Sequence, residues 1–425
     1  MTLHEDLPRI NEMVNVLTQV SISSLEYWLR RIELIRQEGE LAAREGRDSV
    51  SQFIDRHRER LWWLLRHATP FPDAHARAVD LALLVDPVMQ ARGQYANWLP
   101  VLESLAVHVD NRTPEVSIKL AELWRSVGRC YKLLGDTQRA AQALNIARGF
   151  TSGQGEAGMD FRARLLQEKA GVRALQMRFQ EAEEIARQLL ADAQDVGDVQ
   201  TAALGHALLA FTYIQCYRPK ACFEHAQQAY LLWWHLGGVE ADREQERRLA
   251  QALHYMGEAC RLTSHLSRAR YYLKRACQRV HRLKDRHWLA QLGQSLGALA
   301  LEEGDSERAI EHIQQARSLF EELRDTRSVV NSTHALGVVL FRAGRYREAE
   351  GFLRDALAGW QRVDGRLEVA NVYYTLGKLY CAEGRMLEAR QAYLSSRDVA
   401  LTLQGEHRDR LLSSVEEELT KCTTT

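Results

Sequence analysis

The stretch LGALALEEGDSERA at residues 296–309 returns forty positions later as LGVVLFRAGRYREA at 336–349, and again as LGKLYCAEGRMLEA at 376–389. In each copy an alanine follows twelve residues after the glycine: Gly297 and Ala309, Gly337 and Ala349, Gly377 and Ala389. A unit of this length is a single supersecondary motif that cannot bury its own apolar face, so successive copies must stack. Two antiparallel helices approach to about 8 Å only where the side chains at their crossing are small. The two small positions are expected to form that crossing, and the period predicts stacked helical hairpins.

Carried outward, the first small position falls at Gly128, Ala170, Ala210, Gly257, Gly297, Gly337 and Gly377, and the second at Ala140, Ala182, Cys222, Ala269, Ala309, Ala349 and Ala389. A ring three residues after the first position (Tyr131, Tyr213, Tyr380) plugs the gap. A bulky residue follows four after the second (Leu144, Leu273, Ile313, Leu353, Tyr393). The run Trp124-x2-Val127-Gly128-x2-Tyr131…Ala140-x3-Leu144 resembles the tetratricopeptide repeat, and the resemblance covers roughly residues 115 to 405.

The chain departs from the 34-residue consensus of that family in its longer unit and in having no proline after Pro219. Each second helix is expected to run about two turns longer and to stop at an Asp or Gly sixteen residues after the alanine: Asp198, Gly238, Asp285, Asp325, Gly365 and Gly405. Repeats of this longer kind resemble those of bacterial peptide-pheromone receptors, of the sensor domains of signal-transduction ATPases, and of kinesin light chains. The resemblance implies an all-α, TPR-type α-solenoid, a right-handed superhelix of helical hairpins, with an N-terminal helical segment and a C-terminal capping helix. It also implies a regulator or adaptor that binds protein or peptide and is not an enzyme.

The expected organisation is an N-terminal bundle or cap over 1–72, a superhelix over 73–405 with one degenerate and seven clearer repeats, and a capping helix and tail over 406–425. Helices are expected near 6–20, 22–45 and 49–67, with a break at Gly46-Arg47-Asp48 and an end at Thr69-Pro-Phe-Pro72. A helix-turn-helix can be laid over Leu7 to Trp28, although no basic recognition helix accompanies it. The degenerate repeat has helices near 73–92 and 95–109 around Arg92-Gly93-Gln94. Insertions at 149–158 and around 237–248 interrupt the period and are candidate hinges or docking loops. In the pheromone receptors a small N-terminal bundle is the output surface, and the order of segments here is similar. Leu411, Leu412, Val415 and Leu419 share one face of the last helix and would cover the end of the stack.

Composition narrows the function. The 425 residues carry 56 basic and 56 acidic side chains, which argues against the broad positive field that non-specific nucleic-acid binding needs. Seven cysteines, an odd number without a CxxC, fit buried thiols in a reducing cytoplasm and not a disulfide framework. No stretch approaches the ~18 apolar residues of a membrane span, and no phosphate-binding, zinc-protease or nucleophile-elbow motif occurs. No cofactor is expected. Cys277 with His281, His254 with Glu258, and Cys222 with His225 have metal-pair spacing, yet Cys222 and Cys260 occupy packing positions.

In a tetratricopeptide superhelix the first helices line the concave groove, and the resemblance assigns groove positions six and three before the glycine and one and four after it. The first row is Gln251, Gln291, Asn331 and Asn371; the second is His254, Gln294, His334 and Tyr374; Lys378 follows Gly377. A side-chain amide has one acceptor and two donors, enough to pair with both backbone groups of an extended peptide whatever its sequence. In the first clear repeat Arg125, Arg129 and Lys132, beside Glu122, form a patch suited to a carboxylate. Adjacent tryptophans at Trp62-Trp63 and Trp233-Trp234 cannot both point inward, so one of each pair is an expected core residue and the other a candidate anchor for a partner or a second copy of the chain.

Overall fold

The computed structural model describes residues 3–37, 50–109, 114–150, 159–237, 243–363, 365–403 and 406–424. Among them are nineteen α-helices and no strand. The chain divides into two compact units, Met1–Glu168 and Lys169–Thr425.

The first unit contains α1 (Leu3–Gln37), α2 (Val50–Ala68), a short 3-10 turn (Pro72–Ala74), α3 (His75–Ala91), α4 (Tyr95–His108), α5 (Pro114–Leu133) and α6 (Thr137–Gly149). The helices α3 and α4 lie where the degenerate repeat is expected and are joined by a turn at Gly93, which is left-handed. One apolar core runs through all six helices, with Leu25, Ile54, Leu81, Trp98 and Leu123 fully buried. It encloses one carboxylate: Asp86 accepts from Gln90 Nε2 (2.6 Å), Trp98 Nε1 (2.9 Å) and Ser126 Oγ (2.8 Å), so its burial is matched by three donors. Helix α1 corrects the expected pair of helices at 6–20 and 22–45. It continues without a turn past residue 21, because its buried residues Leu25, Ile32 and Ile35 keep a helical spacing against the same core. The helix-turn-helix over Leu7 to Trp28 therefore has no turn. The expected break at 46–48 lies outside the described residues.

The boundary between the units falls within α7 (Met159–Leu175). The second unit continues with α8 (Phe179–Val196), α9 (Val199–Gln215), α10 (Pro219–Gly237), α11 (Arg243–Leu262), α12 (Leu266–Leu283), α13 (Arg286–Glu302), α14 (Ser306–Glu322), α15 (Thr326–Arg342), α16 (Tyr346–Arg362), α17 (Arg366–Ala382), α18 (Met386–Leu401) and α19 (Glu406–Thr424). From α9 onward each hairpin packs its two helices together and then onto the next hairpin. Helix α19 covers the last one and buries Val415 completely and Leu411 nearly so. Among the described residues no helix is long and apolar enough to cross a membrane.

The period has a backbone cause as well as a packing one. The seventh residue after the first small position is left-handed in all seven repeats: Gly135, Met177, Tyr217, Ser264, Gly304, Gly344 and Gly384. At the crossing, the glycine makes room for the bulky residue four after the alanine, not chiefly for the alanine. A Cβ on Gly297 would lie 2.5 Å from Ile313, and one on Gly377 would lie 2.5 Å from the Tyr393 ring.

The aspartates expected to stop the second helices begin the next first helices instead. Asp198 accepts from the backbone N–H of Gln200 and Thr201, Asp285 from Trp288, and Asp325 from Ser328. The stop is the preceding residue, left-handed at Gly197, Lys284 and Arg324. Gly365 likewise precedes α17 with ordinary negative φ. Gly238 and Gly405 lie outside the described residues.

Candidate functional site

Consecutive first helices of the second unit touch one another directly, α9 with α11, α11 with α13, and α15 with α17. Ion pairs join them, Arg261 with Glu302 and Arg327 with Glu368 at 2.8 Å, and two further polar bonds come from the second row of predicted groove residues. His254 Nε2 lies 2.9 Å from Ser295 Oγ, and Gln294 Nε2 donates to Ser332 Oγ at 2.8 Å. Ser332 is fully buried and its hydroxyl donates to the Ser328 carbonyl at 2.9 Å. These two residues are rungs between repeats. His334, at the same position one repeat further on, has no partner at Nε2. Burial pushes its imidazole down to about 4, so it is neutral at pH 7 and offers one donor and one acceptor. Tyr374 packs 5.9 Å from the Tyr393 ring, and the Lys378 ammonium sits 5.6 Å from the Tyr374 ring centre.

The first row behaves differently. Gln251 donates to Tyr255 within its own helix at 3.0 Å. The side-chain amides of Gln291, Asn331 and Asn371 bond to no other described residue. Asn331 is exposed, and Gln291 and Asn371 are half-buried. Beside these three amides, the positions one and four after the glycine are apolar in the two middle repeats: Ala298, Leu301, Val338 and Phe341, all half-buried. Charge flanks them. Glu258 and Arg261 pair at 2.9 Å before this segment, and Lys378 follows it. The surface thus combines three open amides with an apolar strip between charged ends.

The cationic patch of the first unit faces an internal carboxylate. Glu168 bonds to Lys132 and lies 3.8 Å from Arg129 Nε and 3.9 Å from Arg125 Nη1, while Arg125 Nε donates to Glu122 at 2.8 Å. Burial alone would raise the Glu168 carboxyl, but the charges of Lys132, Arg129 and Arg125 outweigh it and hold it at about 2. The patch therefore does meet an acid, and that acid belongs to the chain. Sequence reasoning missed Glu168 because it lies 36 residues from Lys132 and repeats nowhere else in the frame.

A second unanticipated arrangement involves the plug tyrosines. Tyr131, Tyr213 and Tyr380 each donate to a glutamate on the helix before: Glu103, Glu183 at 2.8 Å and Glu350 at 3.0 Å. The signal was available, since Glu183 and Glu350 both precede their tyrosine by thirty residues.

His225, spaced for a metal pair with Cys222, instead faces His206 with the two Nδ1 atoms 2.8 Å apart. Of the tryptophans, Trp233 is buried and Trp62 packs on the core, whereas Trp63 and Trp234 are 61% and 44% exposed. Trp63 stacks on His67, and Trp234 on Tyr230.

Residues 288–362 and 328–402 match the tetratricopeptide repeat family. No curated protein sequence matches the chain. Among solved structures, Rap protein complexed with competence and sporulation factor is similar over 81% of this chain and 98% of its own, with a TM-score of 0.53 at 13% identity. NprR in complex with its cognate peptide NprX is similar over 70% and 82%, with a TM-score of 0.51 at 13% identity. At such identities the likeness is one of fold: the chain has an all-α solenoid of the tetratricopeptide type, similar to those of Rap and NprR, and its residues 288–402 match the repeat family itself.

Proposed function

We propose that this chain is a non-enzymatic regulator that captures an extended peptide, or a flexible segment of a protein, along the first helices of its second unit. The observation that carries this reading is the row of open amides at Gln291, Asn331 and Asn371, one per repeat at forty-residue spacing. An extended chain presents N–H and C=O groups at regular intervals, and a primary amide can answer both. The half-buried strip of Ala298, Leu301, Val338 and Phe341 supplies apolar surface for the ligand's side chains. Two proteins of similar fold, Rap and NprR, were crystallised with a competence and sporulation factor and with a cognate peptide, which supports the same class of ligand here. The neutral His334 adds a polar group that does not charge near pH 7. In this reading residues 1–72 pass the bound state to a second protein, and the chain acts in the reducing cytoplasm, in keeping with its seven free cysteines.

A second reading, a scaffold that holds a protein partner or another copy of itself, draws on the exposed Trp63 and Trp234, since tryptophan is enriched at interface hot spots. A displayed library of random peptides, selected in parallel on the wild type and on the Asn331→Ala/Asn371→Ala variant, tests the first reading. It predicts that peptides enriched on the wild type bind the variant roughly ten- to a hundredfold more weakly, with unchanged far-ultraviolet circular dichroism. Equal enrichment on both proteins would reject the groove and favour the scaffold.

A further inference from the structure

Of the seven cysteines, Cys381 on α17 and Cys422 on α19 come together, with their sulfurs 3.8 Å apart. They are 41 residues apart in sequence and lie on different helices, so neither the repeat nor local geometry requires the contact. Both are partly accessible, unlike the fully packed thiols of Cys130, Cys216, Cys222 and Cys260. The Tyr393 hydroxyl donates to Cys381 Sγ at 3.7 Å and so fixes that sulfur beside Cys422. Cys422 sits beside Glu418, and burial together with Cys381 pushes its thiol up. The two sulfurs are therefore unequal.

We propose that Cys381 and Cys422 form a peroxide-responsive disulfide that fastens α19 to the last repeat. In the first step the Cys381 thiolate attacks one oxygen of hydrogen peroxide. An S–O bond forms, the O–O bond breaks, and hydroxide leaves as water after taking a proton, giving a sulfenic acid. In the second step the Cys422 sulfur attacks that sulfur. The S–S bond forms, the S–O bond breaks, and the departing hydroxide takes the Cys422 proton and leaves as a second water. Two thiols are oxidised by two electrons and one peroxide is reduced. The sulfurs must close from 3.8 Å to about 2.0 Å, a movement within reach of side-chain rotation and a small shift of α19, the last helix described, which packs on α17 and α18 and reaches the Tyr217 ring through Arg410.

The test is to treat the full-length reduced chain with one equivalent of hydrogen peroxide and to map its disulfides by mass spectrometry without reduction. The expected result is a mass loss of about two daltons and one intramolecular link, Cys381 to Cys422, absent in both Cys381→Ser and Cys422→Ser. Amide exchange across residues 406–424 should slow about tenfold on oxidation of the wild type and stay unchanged in Cys422→Ser, a variant that alters only the end of α19. Links between chains, a different pair, or oxidation that stops at sulfinic acid would overturn the proposal, as would a Cys381–Cys422 link with no change in α19 exchange.

Discussion

Gln294 Nε2 donates to Ser332 Oγ at 2.8 Å, and this bond separates two kinds of polar residue on adjacent first helices. His254 ties α11 to α13 and Gln294 ties α13 to α15, whereas the side-chain amides of Gln291, Asn331 and Asn371 bond to no other described residue. Gln294→Ala should therefore cost about 1 kcal/mol of stability, because it leaves the buried Ser332 without its donor. Asn331→Ala should stay within about 0.5 kcal/mol of the wild type. Chemical denaturation of both variants decides it, and equal destabilisation would erase the distinction.

Glu168 should govern acid stability in the first unit. Its folded pKa, about 2, lies below its ordinary value of 4.5, so it binds protons more readily unfolded than folded. The stabilisation is complete above about pH 4.5 and is lost as pH falls toward 2; a depression of that size corresponds to on the order of 3 kcal/mol. Glu168→Gln should lower stability at pH 7 by a similar amount and flatten its dependence between pH 5 and 2. Melting curves across that range test the sign, and an unchanged slope in the variant would exclude Glu168 as the source.

The left-handed turn position offers a paired test. Ser264 and Gly304 occupy the same place in consecutive repeats with φ of 59° and 84°, and a Cβ at Gly304 would touch nothing within 4 Å. Conformation alone then sets the outcome. Gly304→Ala should destabilise by about 1 kcal/mol and Ser264→Gly should stabilise by about 0.5 kcal/mol, both read from denaturation midpoints.

Packing at the crossing should be less forgiving. Gly297→Ala places a methyl 2.5 Å from Ile313 and 3.2 Å from the Ala309 carbonyl, so the hairpin must separate. The expected cost is about 1–3 kcal/mol. Ile313→Val in the same chain should recover part of it, and the absence of any recovery would contradict the assigned contact.

Much of this fold was legible because its packing repeats. Glycine and alanine twelve apart, and Arg92-Gly93-Gln94 between two helices, are local signals, and each hairpin is a local structure. What escaped was relational. Asp198, Asp285 and Asp325 stand at the junction of two helices, and sequence alone does not say which helix owns a capping residue. The continuity of α1 depends on Leu25, Ile32 and Ile35 meeting a core built from later helices. In the candidate site, the frame placed Gln291, Gln294, Asn331 and Asn371 on consecutive first helices. Which of those amides would be consumed between repeats depended on Ser332 lying opposite Gln294. The Glu168 contacts carry no periodic signal at all.

The central claim, that Asn331 and Asn371 pair with a ligand's backbone, is tested most directly by a double-mutant cycle. A peptide selected on the wild type is compared with versions in which single backbone amides are replaced by esters, each titrated against wild type, Asn331→Ala and Asn371→Ala. Backbone pairing predicts that one ester weakens binding to the wild type about five- to thirtyfold and adds little further loss in the matching alanine variant. Independent losses at every ester position would contradict it.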